Sequence, residues 1–246
     1  MTTTPVGMRC PECAKQRTTV KRMRDMATVP RATYALIAIN VVAFLTEQGQ
    51  FSLAGGGLHG KVVEEGILDR FDVATNHQYW RLISAGFLHE NFIHIAFNMY
   101  LLYLLGMMLE PAIGTARFTA IYFAALLAGS FGALFATAAP SLGASGAVFG
   151  LMGAAAVELR ARKLSVMQSG IGGLILINLI FSFSLANISV GAHVGGLVGG
   201  ALAALAVRTA DARRVPALGF IACLLLCAVA VAGAIAVAGV AGTGIA

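Results

Sequence analysis

The stretch "HENFIHIAFNMYLLYLLGMMLE", residues 89–110, decides the fold. Residues 91 to 109, between His89–Glu90 and Glu110, contain no Asp, Glu, Lys or Arg. An α-helix needs about 20 such residues to cross the hydrocarbon of a bilayer. The apolar side chains run on without the alternation of a barrel strand, so the segment reads as a membrane helix. Inside hydrocarbon every backbone N–H and C=O must be bonded within the chain, which a helix achieves alone.

The same reading extends outward. Of the 246 residues, 58% are hydrophobic and 11% charged, and the mean hydropathy is +0.82. A soluble domain carries about 25% charged residues. Six further apolar runs lie at about 32–47, 116–137, 144–159, 168–186, 190–207 and 217–240. The expectation is an all-α polytopic membrane protein with seven spans. The first 30 residues are polar and basic, with no apolar segment ahead of a cleavage site, so no cleavable signal peptide is expected there. The stretch at 48–90 is too long for a simple connection and reads as an ordered, functional loop.

Lys and Arg set the orientation. Seven precede the first span. Arg117, the group Arg160, Arg162 and Lys163, and the group Arg208, Arg213 and Arg214 fall on the same side if the spans alternate. Only Lys61, Arg70 and Arg81 fall on the other, all in the long loop. This places the N-terminus in the cytoplasm and the C-terminus outside a cell membrane. The net charge of +6 follows from that bias and calls for no nucleic-acid partner. The basic arm suits anionic lipid headgroups.

Polar groups inside a bilayer are costly and carry function by default. On the second span His94 and Asn98 are four apart and share a face. The fourth span opens in "SLGASGAVFGLMG" (141–153), with Ser145 between Gly143 and Gly146. The sixth reads "SVGAHVGGLVGGALAAL" (189–205), with His193 near its start. These three spans run the same way, so the four polar residues share one depth toward the outer surface. Gly146 and Gly150 on one helix, with Gly195 and Gly199 and Gly196 and Gly200 on the other, form small-residue faces that let backbones approach. If the faces meet, Ser145 comes within reach of His193, the minimum for an activated hydroxyl nucleophile. Alone, Ser145 would read as a packing serine. No carboxylate is placed to orient His193, since Glu110, Glu158 and Asp211 lie at the opposite helix ends. A Ser–His dyad is therefore expected, with His94, Asn98 and the Ser145 N–H as oxyanion donors.

These motifs together resemble the rhomboid family of intramembrane serine proteases. "GASG", "AHVGG" and "HENFIHIAFN" carry the resemblance, with "YWR" in the long loop and "GMMLEPAIGTARF" after the second span. It covers about residues 75 to 207. It implies Ser145 as nucleophile, His193 as general base, and His94 and Asn98 as oxyanion-stabilising residues. It also implies supporting roles for Gly143, Trp80, Arg81 and Glu110. Phe149 stands where some members have a tyrosine packed on the catalytic histidine, so its ring can stack but cannot add a hydrogen bond. The implied organisation is a cytoplasmic arm over 1–30, a six-helix catalytic core over 31–208, and a linker with a seventh transmembrane helix over 209–246.

His89 reads as a structural residue at the junction of loop and helix. Cys10 and Cys13 in "CPEC" have the spacing of half a zinc ribbon, but a second pair is missing, so reduced thiols are the default. Cys223 and Cys227 read as small apolar side chains. A metal held by His89, His94 and His193 lacks a completing acid or thiol. The expected activity is cleavage of transmembrane protein substrates near the extracytoplasmic leaflet, with no cofactor. The alternative is an inactive rhomboid-like protein that binds membrane clients. Oligomeric state is not fixed by these features.

Overall fold

The structure is a computed structural model, and it describes residues 2–4, 7–9, 29–47, 61–137, 139–184 and 188–242. Cys10 and Cys13 lie outside the described residues. Ahead of the helices, β1 (Thr2–Thr4) and β2 (Gly7–Arg9) pair as a short antiparallel ribbon.

Each of the seven apolar runs forms a helix. They are α1 (Arg31–Glu47), α5 (Phe92–Ile113), α6 (Thr115–Ala136), α7 (Ser145–Ala161), α8 (Ile171–Ser184), α9 (Val190–Ala212) and α10 (Pro216–Gly242). Helices α5, α6, α9 and α10 are long and apolar enough to cross a membrane, while α1 and α8 are shorter apolar helices. The chain is a multi-pass membrane protein of all-α architecture. Helix α9 sits at the centre, packed on α6 and α7; α10 covers α6 and α9, and α1 lies against α5. Helix α8 touches α7 and α9 more lightly and exposes Leu176, Ile177, Ile180, Phe181 and Phe183.

The glycine faces divide between two neighbours. A Cβ added to Gly196 or Gly200 would run into the α7 backbone at Gly146 or Gly150. At Gly195 and Gly199 it would instead meet α6, at Ala128. Both α9 faces are needed because one central helix has two close partners.

The long loop, expected as a loop, contains α2 (Lys61–Gly66), α3 (Arg70–Ala74), α4 (Arg81–Ser84) and a 3-10 turn at Ala85–Phe87. Arg81 organises it. Its buried guanidinium donates to the carbonyls of Glu64 (2.8 Å) and Ile67 (2.7 Å) and to Gln78 Oε1 (2.6 Å), and pairs with Asp72 at 2.9 Å. Trp80 Nε1 donates to the Glu65 carbonyl at 3.1 Å. The Ser130 hydroxyl on α6 donates to the Leu82 carbonyl at 2.7 Å and so fastens this layer to the bundle. Arg70 donates to the carbonyls of Leu134 and Thr137 at the end of α6, where the last carbonyls of a helix lack partners.

At the other end of α5, Glu110 is fully buried. The first turn of α1 has no acidic residue of its own, and Glu110 supplies the anion from across the bundle. Its carboxylate accepts from Ala32 N (2.9 Å), Thr33 N (2.8 Å) and Thr33 Oγ1 (2.7 Å). Thr115 Oγ1 adds a fourth bond at 2.8 Å. This satisfies free N–H groups at a helix start and opposes the helix dipole. Arg208 with Glu158 at 3.3 Å and Arg117 with Asp211 at 2.7 Å join α9 to α7 and α6, far along those helices from Ser145 and His193.

Candidate active site

Ser145 is the first residue of α7, and three backbone contacts hold the segment leading into it. Leu68 and Ser141 exchange bonds of 3.0 and 2.9 Å, and Gly143 N donates to the Ala85 carbonyl at 2.8 Å. The loop layer thus fixes the approach to the hydroxyl. Gly143 has φ +122°, a region that favours glycine. A Cβ there would also fall 2.8 Å from the His94 ring. Glycine is required at this position on both grounds.

Opposite Ser145, the Ser189 side chain caps α9 by accepting from Ala192 N at 3.2 Å, and His193 lies in the first turn. His193 Nε2 is 2.7 Å from Ser145 Oγ. Phe149, one turn along α7 from Ser145, stacks on the His193 imidazole with centroids 4.1 Å apart and planes at 17°. Gly146 and Gly196 permit this closeness, because α7 and α9 meet backbone to backbone there. Ser145 is half-buried and His193 buried.

The upstream pair sits on α5, whose start is capped by Asn91 accepting from His94 N at 2.9 Å. The His94 ring packs on Gly143, two residues before Ser145. Among the described residues it makes no side-chain hydrogen bond; its ring partner is His89, edge to face at 5.1 Å. Asn98 is buried and donates to its own helix at the His94 carbonyl, 3.0 Å away. His89 is nearly inaccessible. Burial, reinforced by the neighbouring His94, pushes its imidazole down to about 3.

The expected residues therefore gather: Ser145, His193 and Phe149 in direct contact, and His94 beside Gly143. Trp80, Arg81 and Glu110 lie apart from this cluster, in the braces described above. No group of three or more metal-ligating side chains is found among the described residues. The sequence reading missed Ser182. This buried α8 residue places its hydroxyl 2.5 Å from His193 Nδ1 and 2.7 Å from the Asn178 carbonyl. The available signal was a hydroxyl, Ser182, inside the apolar run of α8.

Chemically, the arrangement pairs a hydroxyl with an imidazole at the mouth of a helix. The first N–H groups of α7 and the His94 ring lie nearby as hydrogen-bond donors.

The model of the rhomboid domain matches residues 76–210. Rhomboid protease GluP of Bacillus subtilis is 34% identical over 181 residues, covering 72% of this chain and 35% of the relative. Putative rhomboid protease YdcA of the same organism is 34% identical over 133 residues, covering 52% of this chain and 67% of the relative. Inactive RHOMBOID-like protein 8 of Arabidopsis thaliana is 32% identical over 149 residues, covering 58% and 39%. The chain spans less than half the length of GluP and of RHOMBOID-like protein 8.

Proposed function

Because the chain belongs to the rhomboid family, we propose that it is an intramembrane serine endopeptidase working through Ser145 and His193. The observation that carries this reading is the 2.7 Å contact from Ser145 Oγ to His193 Nε2. Ser145 Oγ attacks a peptide carbonyl of another protein's transmembrane segment while its proton passes to Nε2. The carbonyl oxygen becomes an oxyanion, held by the Ser145 N–H with His94 and Asn98. Collapse breaks the C–N bond, and the imidazolium returns the proton to the departing amine. Water then attacks the acyl-enzyme, with His193 again taking the proton, and the serine is regenerated. No step calls for a cofactor.

Phe149 fixes the plane of the His193 ring by stacking. The glycines around Ser145 leave room for a substrate backbone, which must leave its helix to be cut. The bias of Lys and Arg supports a site on the extracytoplasmic side, with a cytoplasmic N-terminus and an external C-terminus. The substrates are membrane-spanning proteins whose segments unwind readily.

The deciding experiment incubates purified protein with a panel of single-span substrates beside a Ser145→Ala control. Cleavage by wild type and none by the variant is the expected result. Tight binding of those substrates without cleavage would make the chain a client-binding member, as the existence of a relative named inactive allows.

A further inference from the structure

We propose that Ser182 is the positioning residue for His193, fixing which ring nitrogen carries the hydrogen; this rests on the dyad reading above. The available hydrogens fix the direction of each bond. Ser182 Oγ lies 2.7 Å from the Asn178 carbonyl oxygen, which can only accept. A hydroxyl has one hydrogen to donate, and we assign it to the Asn178 backbone carbonyl, with which Ser182 Oγ makes its helical back-bond. Bonding back to the carbonyl four residues earlier is an ordinary habit of serine in a helix.

Toward His193 Nδ1, 2.5 Å away, the same oxygen can then act only as an acceptor. Nδ1 therefore carries the hydrogen. In a neutral imidazole the other nitrogen is the acceptor, and here that nitrogen is Nε2, 2.7 Å from Ser145 Oγ. The bonds run in one direction, from Ser145 to His193 to Ser182 to Asn178. The opposite tautomer would place the hydrogen on Nε2, where it could not take the Ser145 proton.

The arrangement also suits the charged intermediate. When Nε2 gains a proton, Nδ1–H keeps its acceptor, and a bond from an ionised donor is stronger than a neutral one. A neutral hydroxyl thus fills the place that a carboxylate fills in a Ser–His–Asp triad. Two stretches of α8 are then linked to one task. Asn178 supplies the carbonyl that pins the hydroxyl hydrogen, and Ser182 passes that choice to a histidine on another helix.

The test compares wild type, Ser182→Ala and Ser182→Cys, with Ser145→Ala as control. Cysteine keeps the side chain's size and is a weaker acceptor, so it carries the test if alanine disturbs folding. The kcat of cleavage should fall roughly 10-fold in Ser182→Ala, the scale of one neutral hydrogen bond, with KM unchanged. The cysteine variant should lie between. In ¹⁵N spectra of histidine-labelled protein, the neutral His193 signal should move from the Nδ1–H form toward a tautomer mixture. A packing role alone would leave the tautomer unchanged. Wild-type kcat, or a lower kcat with Nδ1 still carrying the hydrogen, overturns the proposal. If Ser145→Ala still cleaves, the dyad reading falls and takes this inference with it. If Ser145→Ala is inactive and the Ser182 variants match wild type, only this inference falls.

Discussion

The two ends of α5 carry buried polar groups of opposite character. At its C-terminal end, Glu110 accepts from four donors on α1 and at the start of α6, leaving the carboxylate saturated. At its N-terminal end, among the described residues, His94 packs on Gly143 with no side-chain hydrogen bond and Asn98 bonds to its own helix at the His94 carbonyl. Burying a polar group without partners is costly, and a fold that needed only stability would resolve both ends alike. One end is finished by the chain itself. In the proposed mechanism, the other end supplies donors to a group that arrives with the substrate. Glu110 holds helices together, whereas the proposed mechanism gives His94 and Asn98 a part in the chemistry.

The strongest way to break that comparison is at the dyad. Ser145→Ala and His193→Ala should each abolish cleavage, and the double variant should be no worse than either, because residues acting as one unit are strongly non-additive. A fluorophosphonate should label wild type at Ser145 and label His193→Ala far less. Cleavage at the wild-type rate by folded His193→Ala would end the dyad assignment.

The next test contrasts the two ends directly. His94→Ala and Asn98→Ala should lower kcat by roughly 10²–10³-fold, the range for a lost oxyanion donor, with little change in thermal unfolding. Glu110→Gln should do the reverse. It leaves a donor among donors, and unfolding measurements in detergent should show a loss of about 2–4 kcal/mol, the scale for breaking a buried charged network. The fraction that remains folded should keep a near-normal kcat. If Glu110→Gln instead lowers kcat at unchanged stability, the distinction between the ends is wrong.

How far the sequence revealed all this depends on the kind of signal. Long apolar runs placed every principal helix, because a membrane helix must be written out in hydrophobic residues. The pairing of Ser145 with His193 was legible because so few polar residues stand inside the spans. The helices α2 to α4 were not, since four to six residues carry no periodicity to read. Ser182 was hidden because a serine in an apolar helix looks the same whether it packs or bonds. The partner of each glycine face was hidden for a similar reason: Gly195 and Gly196 are neighbours in sequence but face α6 and α7.

The smallest expected effect concerns acid. His89 is held near 3 in the folded protein, against about 6.5 for a free histidine. Between those values the unfolded chain binds a proton that the folded one does not. Stability should therefore fall as pH drops from about 6.5 toward 3, and be unaffected by this residue above that window. His89→Phe should flatten that part of a pH–stability curve measured by thermal unfolding. An unchanged slope would mean that the His89 imidazole, beside His94 at the N-terminal end of α5, is not shielded from water in the folded protein.

The separation of 48 positions along the chain between Ser145 and His193 has a consequence for the timing of biogenesis. Ribosomes add about 5–20 residues per second, so several seconds pass between the synthesis of the hydroxyl and that of its base. In the proposed mechanism the nascent polypeptide holds a nucleophile without its base throughout that interval, in a membrane full of other proteins. Chains arrested before residue 190 should fail to react with a fluorophosphonate. In that mechanism the order of helices along the chain acts as a safety catch, released when α9 takes its place.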